Sequence, residues 1–251
     1  MTAVKVFQQK AYVLHCTPYS ETSLLVNIFS RDYGRLTLIA KGAKRKKSVV
    51  RGLLLPFKPL LISWSGKGQL PTLTHVEQAS HVPELKGVAL FSGYYVNELL
   101  LKLLHRNDPH ELLFDYYERT NQDLGQKDMP HQALRWFEAL LLREIGFGLV
   151  VDRDVETAEV IEPTKRYCYF PERGPVVIPD SIEDPHYGEP YGLVISGRSL
   201  IAIAQQQFDS GEVLRESQRL FRRLIDIQLN GRTLRTRKVM RQLTRYVPMP
   251  G

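Results

Sequence analysis

Cysteine is scarce in this 251-residue chain, which has only Cys16 and Cys168. Two thiols so far apart supply neither a disulfide framework nor a tetrahedral thiolate metal site, and they read as buried or half-buried thiols in a reducing compartment. Long apolar runs are missing as well, so no segment is suited to crossing a bilayer. The opening MTAVKVFQQK carries no apolar h-region of an export signal. These absences predict a cytoplasmic protein without a membrane partner. Catalytic signatures are also missing. The chain has no phosphate loop, dinucleotide fingerprint, H-E-x-x-H or nucleophile elbow, and no cluster joins a nucleophile to a base and an orienter. The sequence therefore predicts a non-enzyme with no cofactor and no metal. A nuclease or deaminase is the weaker reading, because it needs a convergent acid/histidine or metal cluster.

Acidic residues are rare at both ends. Residues 1–80 hold 12 Lys/Arg against 3 Asp/Glu, a net of +9. Residues 81–200 hold 12 against 20, a net of −8, and residues 201–251 hold 10 against 4, a net of +6. The formal charge of +7 is thus concentrated in two blocks separated by an acidic middle. Such blocks favour a polyanionic partner.

The first block is strand-rich. AYVLHC (11–16), SLLVNIF (23–29), RLTLIA (35–40), LLISW (60–64) and LPTLTHV (70–76) are short β-prone runs separated by turn-like breaks. Five strands without a long helix predict a small closed or partly closed barrel, and an SH3-like barrel or small sandwich fits the count equally. Val13, Leu25, Ile28, Leu36, Leu38 and Ile62 are the expected core. In residues 31–52 (RDYGRLTLIAKGAKRKKSVVRG), Arg35, Thr37, Ile39 and Lys41 share one strand face, and the loop beyond has no acid. The plain reading of such a loop is solubility. The functional reading is an arm with a dense positive tip that follows nucleic-acid phosphates, spaced about 3.4 Å along each strand. Tyr12, Tyr19, Phe29, Tyr33, Phe57 and Trp64 interleave with this charge. Most are expected in core or turns, and Tyr33 is the preferred base-stacking candidate.

Beyond Pro83, residues 85–104 read as a helix, and Pro109 and Pro130 open two more. In the third, Leu134, Phe137, Leu141 and Ile145 form an apolar stripe. Arg135 and Arg143 lie off it, either as solvated charges or as a cationic rim beside a groove for an acidic peptide. Residues 152–190 are acidic and turn-rich, with prolines at 163, 171, 175, 179, 185 and 190 and a small hairpin around Arg173 and Gly174. Cys168 and His186 alone cannot complete a zinc site. Ser199 is a candidate helix cap. Residues 212–229 form a helix stopped by Asn230 and Gly231. Arg232, Arg235, Arg237, Lys238, Arg241 and Arg245 then follow, with Arg232, Arg235 and Lys238 forming a ridge if the helix starts at Thr233, while the RTRK segment reads equally as an exposed lead-in. The expected DNA-binding residues are Arg31, Tyr33, Arg35, Lys41, Lys44, Arg45, Lys46, Lys47 and Arg51, with Arg235, Arg237 and Lys238.

YVLHCTPYSETSLLVNIFSRDYGRLTLIAKGAKRKKS, LLLPFKPLLISWSGKG, LFSGYYVNELLLKLL and LRWFEALLLREIGFG resemble the bacterial RecO family of DNA repair proteins. The resemblance is specific from about residue 8 to 150 and looser to about 245, through FRRLIDIQLNGRTLRTRKV. Its strongest marks are Ser20–Glu21–Thr22, Gly34 and Arg35 to Lys41, Gly42 and Ala43, and Tyr95 with Asn97, Glu98 and Leu99. It implies an α+β chain. An N-terminal OB-fold β-barrel (1–80) is followed by an α-helical domain built from 81–150 and 200–251, with an irregular proline-rich insert at 151–199. It further implies binding to single- and double-stranded DNA, annealing of complementary strands and, with RecR, loading of RecA onto DNA coated by single-stranded DNA-binding protein (SSB), in a nucleoid-associated setting. RecF is a further partner of some members. The helical domain is implied to hold the acidic SSB C-terminal tail, with Arg135 matching a basic position at that pocket. Some members carry a four-cysteine zinc site. Only Cys168 stands in the corresponding region, so no zinc is implied here. A scaffold protein with incidental DNA affinity is the alternative function.

Overall fold

A long first strand decides the architecture. β1 (Val4–Pro18) is followed by β2 (Leu24–Ser30), β3 (Gly34–Ala40), the short helix α1 (Val49–Leu53), β4 (Leu60–Gly66) and β5 (Thr72–Gln78). The second half of β1 pairs antiparallel with β2 and its first half with β4. One strand can serve both partners only by bending. Register shifts at Val6/Gln9 and Val13/His15 supply the bend. At the first, Gln8 takes a left-handed φ of 47°, and its N–H donates to Ser63 Oγ at 3.0 Å. β3 and β5 pair in parallel through Ile39 and Thr72, closing the order β1-β2-β3-β5-β4. With a helix between β3 and β4, this is OB-fold connectivity, which removes the SH3-like and sandwich alternatives.

The computed structural model describes residues 4–126, 130–182, 184 and 187–246. Contacts divide the chain into two units, Met1–Pro130 with Leu234–Gly251, and His131–Thr233. In the barrel, Val13, Val26, Ile28, Leu36, Leu38 and Ile62 form the interior. Leu25 corrects the expected core. Strand parity puts Leu24, Val26 and Ile28 inside, while Leu25 pairs with Ile39 and is half-buried.

The first unit has a second apolar layer outside the barrel, against α2 (Gly87–Leu103) and α3 (Glu111–Gly125). Tyr12 and Phe29 meet Phe114 and Tyr117 with ring centroids 5.1–6.0 Å apart. A polar clasp fixes their register: Asn97 Nδ2 donates to Leu14 O at 3.1 Å, and Asn97 Oδ1 accepts from Tyr117 Oη at 2.7 Å. Tyr12, Phe29 and Trp64 are therefore packing aromatics, all buried.

In the second unit, α4 (Pro130–Glu144) is followed by β6 (Arg166–Phe170), β7 (Gly174–Val177), β8 (Leu193–Ser196), α5 (Gly197–Ala204) and α6 (Gly211–Leu229). The stretch expected to be irregular contains the expected hairpin around Arg173 and Gly174, as β6 and β7, and β8 extends it into a three-stranded antiparallel sheet in the order β7-β6-β8. Tyr167, Cys168 and Tyr169 are all buried, so β6 is covered on both faces as the central strand. Three backbone N–H groups converge on the Asp154 carboxylate, from Glu156, Thr157 and Val177 at 2.6–3.0 Å, and tie the preceding turn to β7. Pro185 and His186 lie outside the described residues. The α5 cap is Ser196 rather than Ser199, because Ser199 N donates to Ser196 Oγ at 3.2 Å. The α6 stop is as read, with Asn230 left-handed at φ 46°. α7 (Arg235–Tyr246) returns to the first unit and packs on α2.

Candidate nucleic-acid interface

The basic run after β3 is not a free arm. Gly42 and Ala43 turn the chain inward, and Ala43 is part of the barrel core. Two successive turns follow, with Arg45 N donating to Gly42 O at 3.1 Å and Ser48 N to Arg45 O at 3.0 Å, and α1 carries Arg51. The run is also fixed to the β1–β2 turn. Lys44 N donates to Thr22 O at 2.9 Å and Lys44 Nζ to Ser20 O at 2.7 Å. The β4–β5 turn joins the same end, where Ile39 N donates to Pro71 O at 2.9 Å. Lys41, Arg45, Lys46, Lys47 and Arg51 are exposed around this three-loop mouth, while Lys44 is half-buried. The mouth thus presents cations on a fixed backbone, which can position a phosphate chain without exact side-chain geometry.

Arg31, Tyr33 and Arg35 occupy the opposite end of β3. Arg31 Nε lies 3.1 Å from Asp115 Oδ1 and its Nη1 2.7 Å from Glu111 Oε2. The Asp115 hydrogen bond and charge lead the effects that push the Arg31 pKa upward. Arg35 is half-buried and donates through Nε to Leu104 O at 3.1 Å, while Asn107 N donates to Arg35 O at 2.9 Å. Burial, then the charge of Arg106, lowers the Arg35 pKa. Tyr33 stands edge-on to Trp64 at 5.1 Å. The continuous cationic face expected along β3 is therefore interrupted. Arg31 and Arg35 fasten the barrel to α2 and α3, and the exposed cations begin at Lys41.

Two residues at the barrel escape the sequence reading, and a third, Tyr19, stands in a more prominent place than that reading gave it. Phe7 is 68% exposed at the β1 bulge. Its signal is an aromatic between Lys5 and Lys10 in the opening strand. Lys67 is exposed in the β4–β5 turn of the mouth, and the glycines around it mark that turn. Tyr19, one of six aromatics weighed from sequence, is 54% exposed in the β1–β2 turn that Lys44 grips. It is better placed for stacking beside the mouth than Tyr33.

The C-terminal basic cluster is split between capping and display. Arg232 precedes α7, and its Nε donates to Leu229 O at 3.0 Å, so the expected three-residue ridge does not form on one helix. Arg237 lies over Tyr95, 5.5 Å from the ring centroid. The side chains of Arg235, Lys238 and Arg241 are exposed. The first turn of α7 has no acid of its own. Glu98 of α2 supplies the charge, accepting from Arg235 N, Thr236 N and Thr236 Oγ1 at 2.7–2.9 Å. Burial raises the Glu98 pKa, but the Thr236 and Arg235 N–H groups, the Thr236 hydroxyl and Lys102 outweigh it, so the net shift is downward. With a folded pKa below the unfolded value of about 4.3, this stabilisation is complete above that value and is lost as pH falls through the folded pKa. Glu98→Gln should cost about 1–3 kcal/mol at neutral pH. In thermal unfolding, its deficit against the native chain should shrink in acid. A deficit that stays constant with pH would contradict the charged cap.

In the second unit, Arg135 corrects the helix-face reading. It is only 5% exposed, and its Nη2 lies 2.8 Å from Glu138 Oε2 of the next turn. Among the described residues, Arg135 Nε has no hydrogen-bond partner. Arg143 is exposed in the last turn of α4. On the apolar face, Phe137 and Leu141 are buried, while Leu134 and Ile145 are only half-buried.

Among the described residues, no group of three His, Cys, Asp or Glu is placed to hold a metal ion, and no helix is long and apolar enough to cross a membrane. Cys168 is buried, its Sγ 3.4 Å from Tyr187 O.

Comparison with known proteins covers both units. A family profile described as "Recombination protein O N terminal" matches residues 1–81, and "Recombination protein O C terminal" matches residues 85–238. The chain is 43% identical over 239 residues to "DNA repair protein RecO" of Azoarcus sp. (strain BH72), covering 95% of this chain and 97% of that one. Against the protein of the same description from Polynucleobacter necessarius subsp. necessarius (strain STIR1), identity is 43% over 244 residues, with 96% and 98% covered. For the one from Burkholderia lata it is 41% over 236 residues, with 94% and 82% covered.

Proposed function

The chain belongs to the RecO family of DNA repair proteins, and from that premise we propose that it is a non-catalytic recombination mediator. It binds single- and double-stranded DNA, anneals complementary strands and, with RecR, promotes RecA loading onto SSB-coated DNA. The observation that carries this reading is the mouth of the OB barrel, where Lys41, Arg45, Lys46, Lys47 and Arg51 stand exposed on converging loops. Two strands repel through their phosphates, and cations between them lower that barrier until base pairing holds the duplex. Pairing supplies the free energy, so no nucleotide need be hydrolysed.

The other basic groups take separate parts. Arg235, Lys238 and Arg241 on α7 offer a second cationic surface, for another strand or for RecR. Arg143, exposed at the end of α4, meets the acidic SSB tail. The test is annealing of complementary strands coated with SSB. Neutralising Lys44, Arg45, Lys46 and Lys47 should slow annealing at least about tenfold at physiological salt, given the steep dependence on phosphate contacts. Unchanged annealing would favour the scaffold reading, in which DNA affinity is incidental.

A further inference from the structure

The first unit contains a recess away from the cationic mouth. Its volume is about 200 Å³, and its lining includes Tyr12, Phe57, Leu85, Glu118, Asn121 and Gln122. That is below the roughly 300 Å³ at which pockets for drug-sized molecules begin, and suits a single long side chain. One wall is held in an uncommon conformation. Phe57 has a left-handed φ of 68°, which is rare for a bulky residue. Its ring is seated edge-on to Tyr94 at 5.1 Å and against Gly93, where an added Cβ would lie 2.8 Å from Phe57 Cε1.

Two polar groups in the recess lack what they require. Glu118 Oε1 accepts from Tyr12 Oη at 2.9 Å. Other acids of α3 have cations: Glu111 and Asp115 pair with Arg31, and Asp123 with Arg119. Glu118 has no cation within ion-pair range among the described residues. Burial, followed by the Glu118 charge and hydrogen bond, pushes the Tyr12 phenol upward, so it stays the donor of this pair. Asn121 is 8% exposed; its amide N–H faces the Tyr117 hydroxyl, and its amide oxygen has no hydrogen-bond partner among the described residues. The adjacent Tyr117 hydroxyl donates its proton to Asn97.

We propose that this recess receives an arginine side chain from a partner protein. Charge selects the sign, since an uncompensated carboxylate on a helix bearing Glu111, Asp115 and Asp123 repels phosphate and acidic peptides. Shape and donor count select the cation. A guanidinium presents five donors in a plane, which match the free Glu118 oxygen and the side-chain carbonyl oxygens of Asn121 and Gln122. Its aliphatic stem covers Leu85, and its face meets the Tyr12 and Phe57 rings. A lysine ammonium has a donor for each of these three oxygens, but as a point charge it lacks the planar fork that reaches them together and the flat face that stacks on the rings.

The test uses the intact chain and Nα-acetyl-arginine amide as the probe, observed through the side-chain amide signals of Asn121 and Gln122 in nuclear magnetic resonance. The arginine amide should give saturable shifts in the millimolar range. The citrulline amide, nearly the same shape without the charge, should bind at least about tenfold more weakly, and the lysine amide should fall between them. Glu118→Gln retains an acceptor for Tyr12 and should weaken arginine binding at least about fivefold. Equal binding of arginine and citrulline, no saturable shift, or stronger shifts with deoxyadenosine would each overturn the assignment. The arginine–citrulline comparison uses the unaltered chain and is independent of how any variant folds. DNA binding at the barrel mouth is measured separately and can survive this failure.

Discussion

Replacing Arg45, Lys46 and Lys47 together by alanine should flatten the salt dependence of single-strand binding by about 2 units of slope, because each phosphate contact contributes roughly 0.7. Between 50 and 200 mM salt, two units correspond to a roughly sixteenfold change in affinity that the native chain shows and the variant lacks. The unfolding temperature should hold, since all three side chains are exposed and the turns are made by backbone bonds and by Ala43. Arg31→Ala and Arg35→Ala should behave in the opposite way. Arg31 bridges to Glu111 and Asp115, and Arg35 to the Leu104 carbonyl, so their loss lowers stability and leaves the salt slope nearly unchanged. Titrating a fluorescent oligonucleotide at four salt concentrations, beside thermal unfolding of each variant, separates the two groups. Equal slope changes from both would mean that the opposite end of β3 also faces DNA.

The contrast shows what a sequence can and cannot convey about such a site. The strand runs were legible because alternation leaves a period-two trace, and all five occur within two residues of the observed starts except β1, which begins seven residues earlier. The early part of β1 was obscured by its bend, where the bulge at Gln8 breaks the alternation and exposes Phe7. The basic run was legible as charge. Its partition was not, because the partners of Arg31 lie 80 and 84 residues away on α3 and that of Arg35 lies 69 residues away. Sequence order carries no mark of a contact at that separation.

The helical parts illustrate the same limit. Proline and glycine punctuation placed α3, α4 and the end of α6 well. Arg135 seemed a surface charge because its burial depends on Glu138 one turn later, a pairing that an i,i+3 spacing permits without requiring. β8 had no alternating signature in four residues, and its pairing with β6 supplies the hydrogen bonds that make it a strand. The cap of α7 comes from Glu98, 138 residues before Thr236, so its first turn looked from sequence like an unsupported lead-in.

Gly34→Ala should be among the most destabilising single substitutions in the first unit, losing more than about 3 kcal/mol. Gly34 has φ 64°, and an added Cβ would lie 1.9 Å from Asp108 O. The left-handed conformation alone costs a non-glycine residue about 1–2 kcal/mol. The clash adds to it, because the obstructing atom is backbone and cannot rotate aside. Retreat of the 104–108 segment would break the Asn107–Arg35 and Arg35–Leu104 bonds and disturb the Arg31 ion pairs beside them. Gly42→Ala provides the control. Its φ is 72°, but the nearest atoms belong to the flexible Arg45 side chain at 3.7 Å, so it bears the conformational cost without the collision. The difference between the two should be at least about 2 kcal/mol, or roughly 4–8 °C in Tm for a chain of this size. Urea titration of both variants, followed by tryptophan fluorescence from Trp64 within the barrel, measures it. Equal losses would mean that the 104–108 segment yields without cost, and that the barrel is held to its helices by the aromatic layer and the Asn97 clasp instead.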